Sequence, residues 1–280
     1  MNYRHAYHAG NFADIVKHAA LALVVEHLKR KDSPFVYVDT HAGTGLYDLT
    51  SVQAEKTGEW MGGIGLVAGR QDAPPQLAPY LSAVRSFNPD GGLAVYPGSP
   101  AVAAALARPC DRLALCELHP EDAGQLKHRF AADPRVGVHQ RDAYEAMKAL
   151  LPPPERRGVV LVDPPFEIPG EFERLRKGLQ LGLKRWGTGI FLLWYPIKDR
   201  AVTDRFLADL AMVGLGNAFA AELMLRPADN PGLLNGTGLV VVNPPWQLEE
   251  SLAVLLPWLA EVLSGGKGSW RIAPVTPPSR

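Results

Sequence analysis

The sequence predicts an α/β protein with a mostly parallel β-sheet, an antiparallel hairpin at one sheet edge and a small helical insertion. Two observations lead to this prediction. Short apolar runs rich in β-branched residues alternate with segments of helical periodicity, the pattern of a parallel sheet covered by helices on both faces. The chain also has 280 residues, 47% of them hydrophobic, so residues 1–280 can bury a large core as a single domain.

The predicted elements begin with a helix over residues 12–31. Asn11 can cap its N-terminus, and apolar residues recur after it at helical spacing. The apolar run Phe35-Val36-Tyr37-Val38 follows and predicts a buried strand. This strand leads into a turn that contains Gly43 and Gly45, so the turn lies at the carboxyl end of the strand.

A helical insertion is predicted over residues 48–95, between the glycine turn and the next strand. A crossover between parallel strands needs only about a dozen residues, and this connection is much longer. Inserted structure beside a binding site typically contacts substrate. The alternative is a packed decoration without such a role.

Strands and helices alternate beyond the insertion. Further buried strands are predicted at residues 113–116, 136–139, 159–162 and 189–195, and helices at about 99–107, 120–132, 143–150 and 171–186. Two last strands, 220–225 and 238–242, have no clear helix between them and form the predicted edge hairpin. Residues 265–280 are predicted to be a flexible tail because they contain the pairs Gly265-Gly266 and Pro277-Pro278.

Acidic residues follow three successive predicted strands, as Glu117, Asp142 and Asp163. Ligands of parallel sheets bind at the carboxyl ends of the strands. A carboxylate after the second strand can accept hydrogen bonds from both ribose hydroxyls, and one after the third can reach an adenine amino group. The turn around Gly43 lacks the third glycine of a dinucleotide fingerprint and the Lys-Ser/Thr of a phosphate loop. These features favour a nucleoside ligand without a diphosphate, a description that S-adenosylmethionine fits.

The tetrapeptide Asp163-Pro164-Pro165-Phe166 is the strongest chemical signal. The exocyclic amine of a purine is a poor nucleophile, so methylation requires acceptors for its hydrogens, and the Asp163 carboxylate and the Pro164 carbonyl can supply them. Phe166 offers a face for stacking the base. The alternative is a rigid turn after a strand. A second tetrapeptide, Asn243-Pro244-Pro245-Trp246, follows the edge hairpin, and we interpret Asn243 as structural.

The histidines do not predict a metal site. His5 and His8 stand three residues apart, but no third ligand follows at a suitable spacing. His41 lies in the glycine turn, where it either contacts a cofactor or is a satisfied loop residue. His18, on the first helix, is by itself an ordinary polar residue.

The formal net charge is zero, which excludes a protein that binds nucleic acid with its whole surface. Residues 1–31 and 171–186 each carry five basic residues against two acidic ones. Both segments are candidate phosphate-contacting faces, or ordinary solvated helix faces. Two cysteines without a CxxC pair, no signal peptide and no long apolar run predict a soluble cytoplasmic protein.

Several motifs together resemble those of the bacterial 23S rRNA adenine-N6 methyltransferases that modify adenine 2030. They occur in the same order along nearly the whole chain: Tyr3-Arg4-His5-Ala6-Tyr7-His8-Ala9-Gly10-Asn11, Asp39-Thr40-His41-Ala42-Gly43, Tyr96-Pro97-Gly98-Ser99-Pro100, Glu117-Leu118-His119-Pro120, Asp163-Pro164-Pro165 and Asn243-Pro244-Pro245-Trp246. The chain differs from the family at Phe166, where tyrosine is frequent, and at Ala143, where glycine is frequent.

The resemblance implies a Rossmann-like class I methyltransferase that uses S-adenosylmethionine and no metal. It implies cofactor contacts from His18, His41, Ser99, Glu117, Asp142, Ala143 and Asp163, to which the turn analysis adds Gly43. It also implies catalysis at Asp163, with Tyr3, His5 and Lys17 near the target adenosine of the RNA.

The implied substrate is naked or partly assembled 23S rRNA, methylated at N6 of one adenine by a monomeric protein that does not bind membranes. The tetrapeptide chemistry also suits the alternative of an amine or amide methyltransferase acting on DNA adenine or protein glutamine. Two further classes are disfavoured. The tetrapeptide disfavours an RNA-binding protein without turnover, and the incomplete fingerprint disfavours a dehydrogenase.

Overall fold

The computed structural model describes residues 4–277. Its strands are β1 (Val36–Asp39), β2 (Leu46–Asp48), β3 (Val95–Pro97), β4 (Arg112–Glu117), β5 (Val136–Gln140), β6 (Gly158–Val162), β7 (Ile190–Ile197), β8 (Ala218–Met224), β9 (Gly236–Val242) and β10 (Ser269–Pro274). Its α-helices are α1 (Phe12–Lys29), α2 (Val52–Thr57), α3 (Ile64–Val67), α4 (Ala78–Ser86), α5 (Ser99–Leu106), α6 (Pro120–Arg129), α7 (Ala143–Leu150), α8 (Glu171–Arg185), α9 (Arg200–Ala211) and α10 (Leu248–Ser264). Short 3-10 turns lie at His5–Tyr7 and Pro75–Leu77.

Eight strands form the central sheet, in the order β10-β8-β9-β7-β6-β1-β4-β5. The five strands from β7 to β5 are parallel, and β9, β8 and β10 run antiparallel to their neighbours. At the end of β1, Asp39 pairs with Leu115 on one side and Leu161 on the other. The mostly parallel sheet with an antiparallel hairpin, expected from the sequence, is confirmed.

The hairpin of β8 and β9 lies one strand inside the edge, because β10 pairs with β8. The expectation of a flexible tail over residues 265–280 is therefore wrong for Ser269–Pro274. This segment pairs with β8 along six residues, and that tertiary pairing supplies the backbone hydrogen bonds that local composition does not predict.

Side chains of successive strand residues enter two hydrophobic layers. In β6, Val159 and Leu161 join the layer that contains α1, while Val160 and Val162 join the layer on the other face. Helices α4, α5 and α10 pack against α1, and α7, α8 and α9 pack on the opposite face. The period-2 alternation of the strand thus places helices on both faces of the sheet.

Residues 48–95, the predicted helical insertion, contain the short helices α2, α3 and α4, which are separated by turns and loops. The strands β2 and β3 flank this segment and form a small two-stranded sheet in which Tyr47 pairs with Tyr96. Helix α2 contacts the turn at His5–Tyr7, and α4 packs on α1. The sequence analysis did not predict β2, β3, α9, α10 or β10.

Among the described residues, no helix combines the length and apolar composition needed to cross a membrane.

Candidate active site

A cavity of about 800 Å³ opens at the edge where the parallel strands end, which we call the carboxyl edge. A volume of this size suits a drug-sized ligand or cofactor. Among its lining residues are the sequence-predicted His5, Lys17, His18, His41, Gly43, Ser99, Glu117, Asp142, Ala143, Asp163, Pro164 and Phe166. The prediction for Tyr3 lies outside the described residues. The structure thus brings the predicted site residues of the described chain to one cavity.

The cavity forms where the chain reverses its direction across the sheet. From β1 the chain adds β4 and β5 on one side, and it then returns to place β6 on the other side of β1. Such a switch point leaves a crevice between the loops that leave the strands. Glu117 and Asp163 therefore lie on opposite sides of the turn that follows β1.

The glycine turn is held against Glu117. The Gly43 N–H donates to Glu117 Oε2 at 2.8 Å, and the His119 N–H donates to Oε1 at 2.8 Å. Gly43 has φ +57°, and a Cβ added there would lie 2.2 Å from Tyr47 Oη, so the position requires glycine. Burial raises the pKa of Glu117 above its usual value. The carboxylate is fixed in place, and its remaining lone pairs can accept hydrogen bonds from a ligand.

Asp39, at the end of β1, is a buried acid missing from the predicted site set. Its Oδ2 accepts hydrogen bonds from Tyr37 Oη at 2.5 Å and Ser99 Oγ at 2.7 Å, and Oδ1 accepts from the His41 N–H at 3.1 Å. Burial raises the pKa of Asp39 to about 6. The Ser99 hydroxyl therefore bonds to Asp39. Asp39 also holds the loop that follows β1 and lines the cavity, through its hydrogen bond to the His41 N–H.

Asp142 caps helix α7. Its Oδ1 accepts from the N–H groups of Tyr144 at 2.9 Å and Glu145 at 3.2 Å, and its Oδ2 pairs with Arg174 at 3.3 Å. Ala143 is the first residue of α7 and is buried. This arrangement places the N-terminus of α7 on the cavity wall, with the N–H groups of Tyr144 and Glu145 already bonded to Asp142.

A buried lysine joins Asp163 to helix α1. Lys17 Nζ hydrogen bonds to Asp163 Oδ2 and pairs with Asp14 Oδ1 at 2.9 Å. Burial alone would lower the pKa of Lys17, but the two carboxylates outweigh it and raise the pKa above its usual value. Lys17 is 3% exposed and stays charged. It therefore fixes one oxygen of Asp163, while Asp163 Oδ1 makes no hydrogen bond within residues 4–277.

Asp14 organises the segment that precedes α1. Its Oδ2 lies 3.0 Å from His5 Nε2 and accepts the Gly10 N–H at 2.9 Å. Burial would raise the pKa of Asp14, but the neighbouring charges, chiefly His5 and Lys17, hold it well below the usual range. The sequence analysis missed this residue, although the i, i+3 spacing of Asp14 and Lys17 places both on one helix face.

The two histidines of the predicted cofactor set are neutral at physiological pH. His18 is 1% exposed, its Nδ1 lies 2.8 Å from Tyr96 Oη, and burial lowers its pKa to about 3. His41 Nδ1 accepts the Asp163 N–H at 3.3 Å, and burial lowers the pKa of His41 to about 4. His41 thus helps to orient the Asp163 backbone, and the His18 ring is packed into the core.

An aromatic wall borders Asp163. Phe166 has a positive φ of 52°. The centroid of its ring lies 4.8 Å from that of Phe172 and 5.7 Å from that of Trp194. The Trp194 Nε1–H donates to Thr237 Oγ1 at 2.7 Å, which fixes the indole. Trp194 was not predicted from the sequence, because it lies inside an apolar strand run where an aromatic residue is ordinary. The wall offers the stacking face that a flat base requires.

The second tetrapeptide lies at the opposite edge of the sheet, because β9 runs antiparallel to β7. Asn243 has φ +53°, and its Nδ2 donates to the carbonyls of Gly187 at 2.9 Å and Gly189 at 2.8 Å. The structural interpretation of Asn243 agrees with this geometry.

The charges at the cavity are mostly negative. Among the described residues, eight carboxylates line it against four cations: Asp14, Glu59, Glu117, Asp122, Asp142, Asp163, Glu167 and Glu171 against Lys17, Arg174, Lys198 and Arg226. Lys17 and Arg174 of the two predicted basic faces line the cavity, but α1 and α8 both lead away from the carboxyl edge toward their C-terminal ends. Lys29 and Arg185 therefore lie at the other edge. Within residues 4–277, no three His, Cys, Asp or Glu side chains are grouped to hold a metal ion.

Comparison with known proteins gives a consistent result along the whole chain. Residues 32–276 match the model of the family described as "Ribosomal RNA large subunit methyltransferase D, RlmJ". The chain is 41% identical to "Ribosomal RNA large subunit methyltransferase J" of Escherichia coli over 278 residues, and 41% identical to the protein of that name from Haemophilus influenzae over 279 residues. Each match covers 99% of both chains. A crystal structure of a Legionella pneumophila protein superposes with a TM-score of 0.89 at 33% identity, covering 95% of this chain and 98% of that one.

Proposed function

Because the chain belongs to the family of large-subunit ribosomal RNA methyltransferases J, we propose that it methylates the exocyclic N6 of one adenine in 23S rRNA. The methyl donor is S-adenosylmethionine, and the family resemblance points to adenine 2030. The single observation that carries the adenine-N6 assignment is the placement of Asp163-Pro164-Pro165-Phe166. This tetrapeptide lies at the carboxyl edge, on the cavity wall, with one oxygen of Asp163 held by a buried lysine.

The chemistry of the cavity fits this cofactor. S-adenosylmethionine carries a sulfonium and an amino group, and the excess of carboxylates over cations on the cavity wall suits a cationic ligand. In this proposal, Glu117 accepts hydrogen bonds from the ribose hydroxyls, and Asp142 and the N–H of Ala143 bind the adenine ring. His41, Gly43 and Ser99 shape the turn beneath it. When bound, the cofactor supplies a methyl group attached to a positively charged sulfur.

In the proposed reaction, Asp163 Oδ1 and the Pro164 carbonyl accept the two hydrogens of the target N6. These two bonds let the nitrogen become pyramidal and aim its lone pair at the methyl group. That lone pair forms the new C–N bond as the sulfur–carbon bond breaks toward sulfur, and the nitrogen then loses one proton to water. Lys17 holds Asp163 in the required rotamer and keeps its second oxygen occupied.

The target base has to leave its stack to reach Asp163. Phe166 provides the face on which the extruded adenine stacks, and Trp194 closes the wall behind Phe166. In this proposal His5 and Lys17, which both contact Asp14, lie near the target adenosine. The substrate in this proposal is naked or partly assembled 23S rRNA in the cytoplasm, bound by a monomer.

Methyl incorporation tests the proposal against its alternative, an amine or amide methyltransferase acting on DNA adenine or protein glutamine. The protein is incubated with labelled S-adenosylmethionine and, separately, with unmethylated 23S rRNA, unmethylated DNA and ribosomal proteins. We expect label in the rRNA alone. Label in DNA or protein, without label in rRNA, would establish the alternative.

A further inference from the structure

Two exposed cations lie at the mouth of the cavity. Lys198 directly follows β7, and Arg226 follows β8. In the pairing of β7 with β9, Ile197 stands opposite Gly236, so the loop between β8 and β9 reaches the carboxyl edge beside the end of β7. Lys198 and Arg226 therefore occur at the same edge as Asp163, from two loops that are distant in sequence.

Neither cation has a side-chain partner in the part of the chain that the structure describes. Among residues 4–277, the side chains of Lys198 and Arg226 make no hydrogen bond and no ion pair. The other two cations of the cavity wall are both paired: Lys17 with Asp14 and Asp163, and Arg174 with Asp142 at 3.3 Å and Glu171 at 3.3 Å. The unpaired cations are thus available to a ligand, while the paired ones hold the wall together.

A buried asparagine ties the two loops together. Asn235 is 0% exposed, and its Nδ2 donates to the carbonyls of Lys198 at 2.9 Å and Asn230 at 2.8 Å. The Asn235 N–H donates to the Ile197 carbonyl at 3.0 Å, and the Leu225 N–H donates to the Asn235 carbonyl at 3.0 Å. The backbones that carry Lys198 and Arg226 are therefore fixed relative to each other before any ligand binds.

The cavity itself is a poor place for a phosphate, because carboxylates outnumber cations on its wall. An adenine that reaches Asp163 nevertheless brings the two phosphates of its own nucleotide to the mouth. Leu233 and Ile168 also line the cavity and are 43% and 53% exposed, so they offer apolar contact to a ribose or a neighbouring base. The geometry points to a place for phosphates outside the acidic wall and beside these apolar residues.

We propose that Lys198 and Arg226 form a phosphate clamp that binds the phosphodiester groups flanking the target adenine. This inference rests on the proposed function and adds to it the subsite that holds the RNA backbone. The Arg226 guanidinium suits two-point binding of a phosphate, and the Lys198 ammonium acts as a point charge. The clamp reads no sequence; it binds the RNA backbone at the mouth of the cavity and contributes affinity for the RNA.

The test uses an RNA hairpin that contains the target adenine and the double variant Lys198→Ala/Arg226→Ala. We expect the Kd for this RNA and the KM for RNA to rise at least about tenfold. The KM for S-adenosylmethionine and kcat at saturating RNA should stay within about twofold of the wild-type values. In a log-log plot of affinity against salt, the slope should become shallower by about 1.4, since each phosphate contact with single-stranded RNA contributes about 0.7.

The matched control is Lys148→Ala/Arg205→Ala, which also removes one exposed lysine and one exposed arginine but leaves the cavity wall intact. The control should bind the hairpin as the wild type does. Lys198→Ala/Arg226→Ala is the clamp variant. If its Kd for the RNA equals that of the control, the inference is overturned. A fall in kcat without a change in Kd would overturn it as well.

A modified RNA identifies the contacted groups. Methylphosphonates replace the phosphates that flank the target adenine and remove their charge. They should weaken binding to the wild type and have little effect on the clamp variant; an equal effect on both proteins would refute the clamp. Because the readout is RNA binding, failure of the clamp is distinguishable from failure of the proposed function, which would appear as absent methyl transfer by the wild type.

Discussion

At the scale of single residues, the central feature is the buried row of charges formed by Asp14, Lys17 and Asp163. A lone buried lysine would be costly, and it is tolerated here because two carboxylates accept its hydrogen bonds. The proposed reaction needs one oxygen of Asp163 to be fixed and the other to be open. The pairing of Lys17 with Oδ2 meets that requirement without any movement on substrate binding.

The buried His18 makes stability depend on pH. Its pKa is about 3 in the folded protein because of burial and about 6.5 in the unfolded chain. Because the pKa is lower in the folded protein than in the unfolded chain, His18 favours the folded state fully above pH 6.5. This contribution to the free energy of unfolding is lost as the pH falls toward 3. At about 1.4 kcal/mol per pH unit, lowering the pH from 6.5 to 5 should cost about 2 kcal/mol through this residue.

Urea denaturation of the wild type and of His18→Gln at pH 7.5 and pH 5 measures this effect. On acidification, the free energy of unfolding should fall by about 2 kcal/mol less in the variant than in the wild type. His128→Gln changes an exposed histidine on α6 and serves as the control with wild-type behaviour. If His18→Gln shows the full wild-type loss, the assignment of a neutral buried His18 is wrong.

At the scale of secondary-structure elements, the two tetrapeptides have the same pattern in sequence but different surroundings in the fold. Asp163 follows a parallel strand beside β1 and reaches the cavity. Asn243 follows an antiparallel strand, ends at the other edge and bonds to the backbone before β7. Strand direction therefore separates the tetrapeptide that we propose to be catalytic from the one that contacts only backbone at the other edge.

Asn243→Ala should lower the free energy of unfolding by about 2–3 kcal/mol. It removes one exposed and one partly buried hydrogen bond to backbone carbonyls and places alanine at φ +53°. Methyl transfer by the folded variant should stay within about twofold of the wild type. Asn243→Gly also loses the hydrogen bonds but relieves the backbone strain. Its free energy of unfolding should therefore lie between those of the wild type and Asn243→Ala. Complete loss of activity in a folded Asn243→Ala would contradict the structural role.

The parallel core was predictable because local signals agree with the fold there. Apolar runs mark β1, β4, β6 and β7, and acidic residues mark the ends of β4, β5 and β6. The strand β10 was not predictable, because Ser269–Pro274 becomes a strand only by pairing with β8. Helix α10 contains Pro257, which obscures a helical pattern in the sequence. The role of Asp14 was hidden as well, because an acid in the first turn of a helix is ordinary.

At the scale of the whole molecule, the zero net charge conceals an uneven distribution. The cavity wall carries an excess of carboxylates, whereas basic residues such as Arg30, Lys31, Arg156 and Lys184 lie near the amino ends of the parallel strands. The acidic wall favours a cationic cofactor, and it leaves phosphate binding to groups outside the wall. Net charge alone predicted that any RNA contact must be local, but the location of that contact required the fold.

The most direct test of the account is to map methylation on 23S rRNA by mass spectrometry after reaction with the wild type, Asp163→Ala and Asn243→Ala. The wild type and Asn243→Ala should each produce N6-methyladenine at one position, adenine 2030. Asp163→Ala should produce none, although S-adenosylmethionine still raises its melting temperature. Near-normal methylation by Asp163→Ala, or a methyl group on an atom other than N6, would contradict the account.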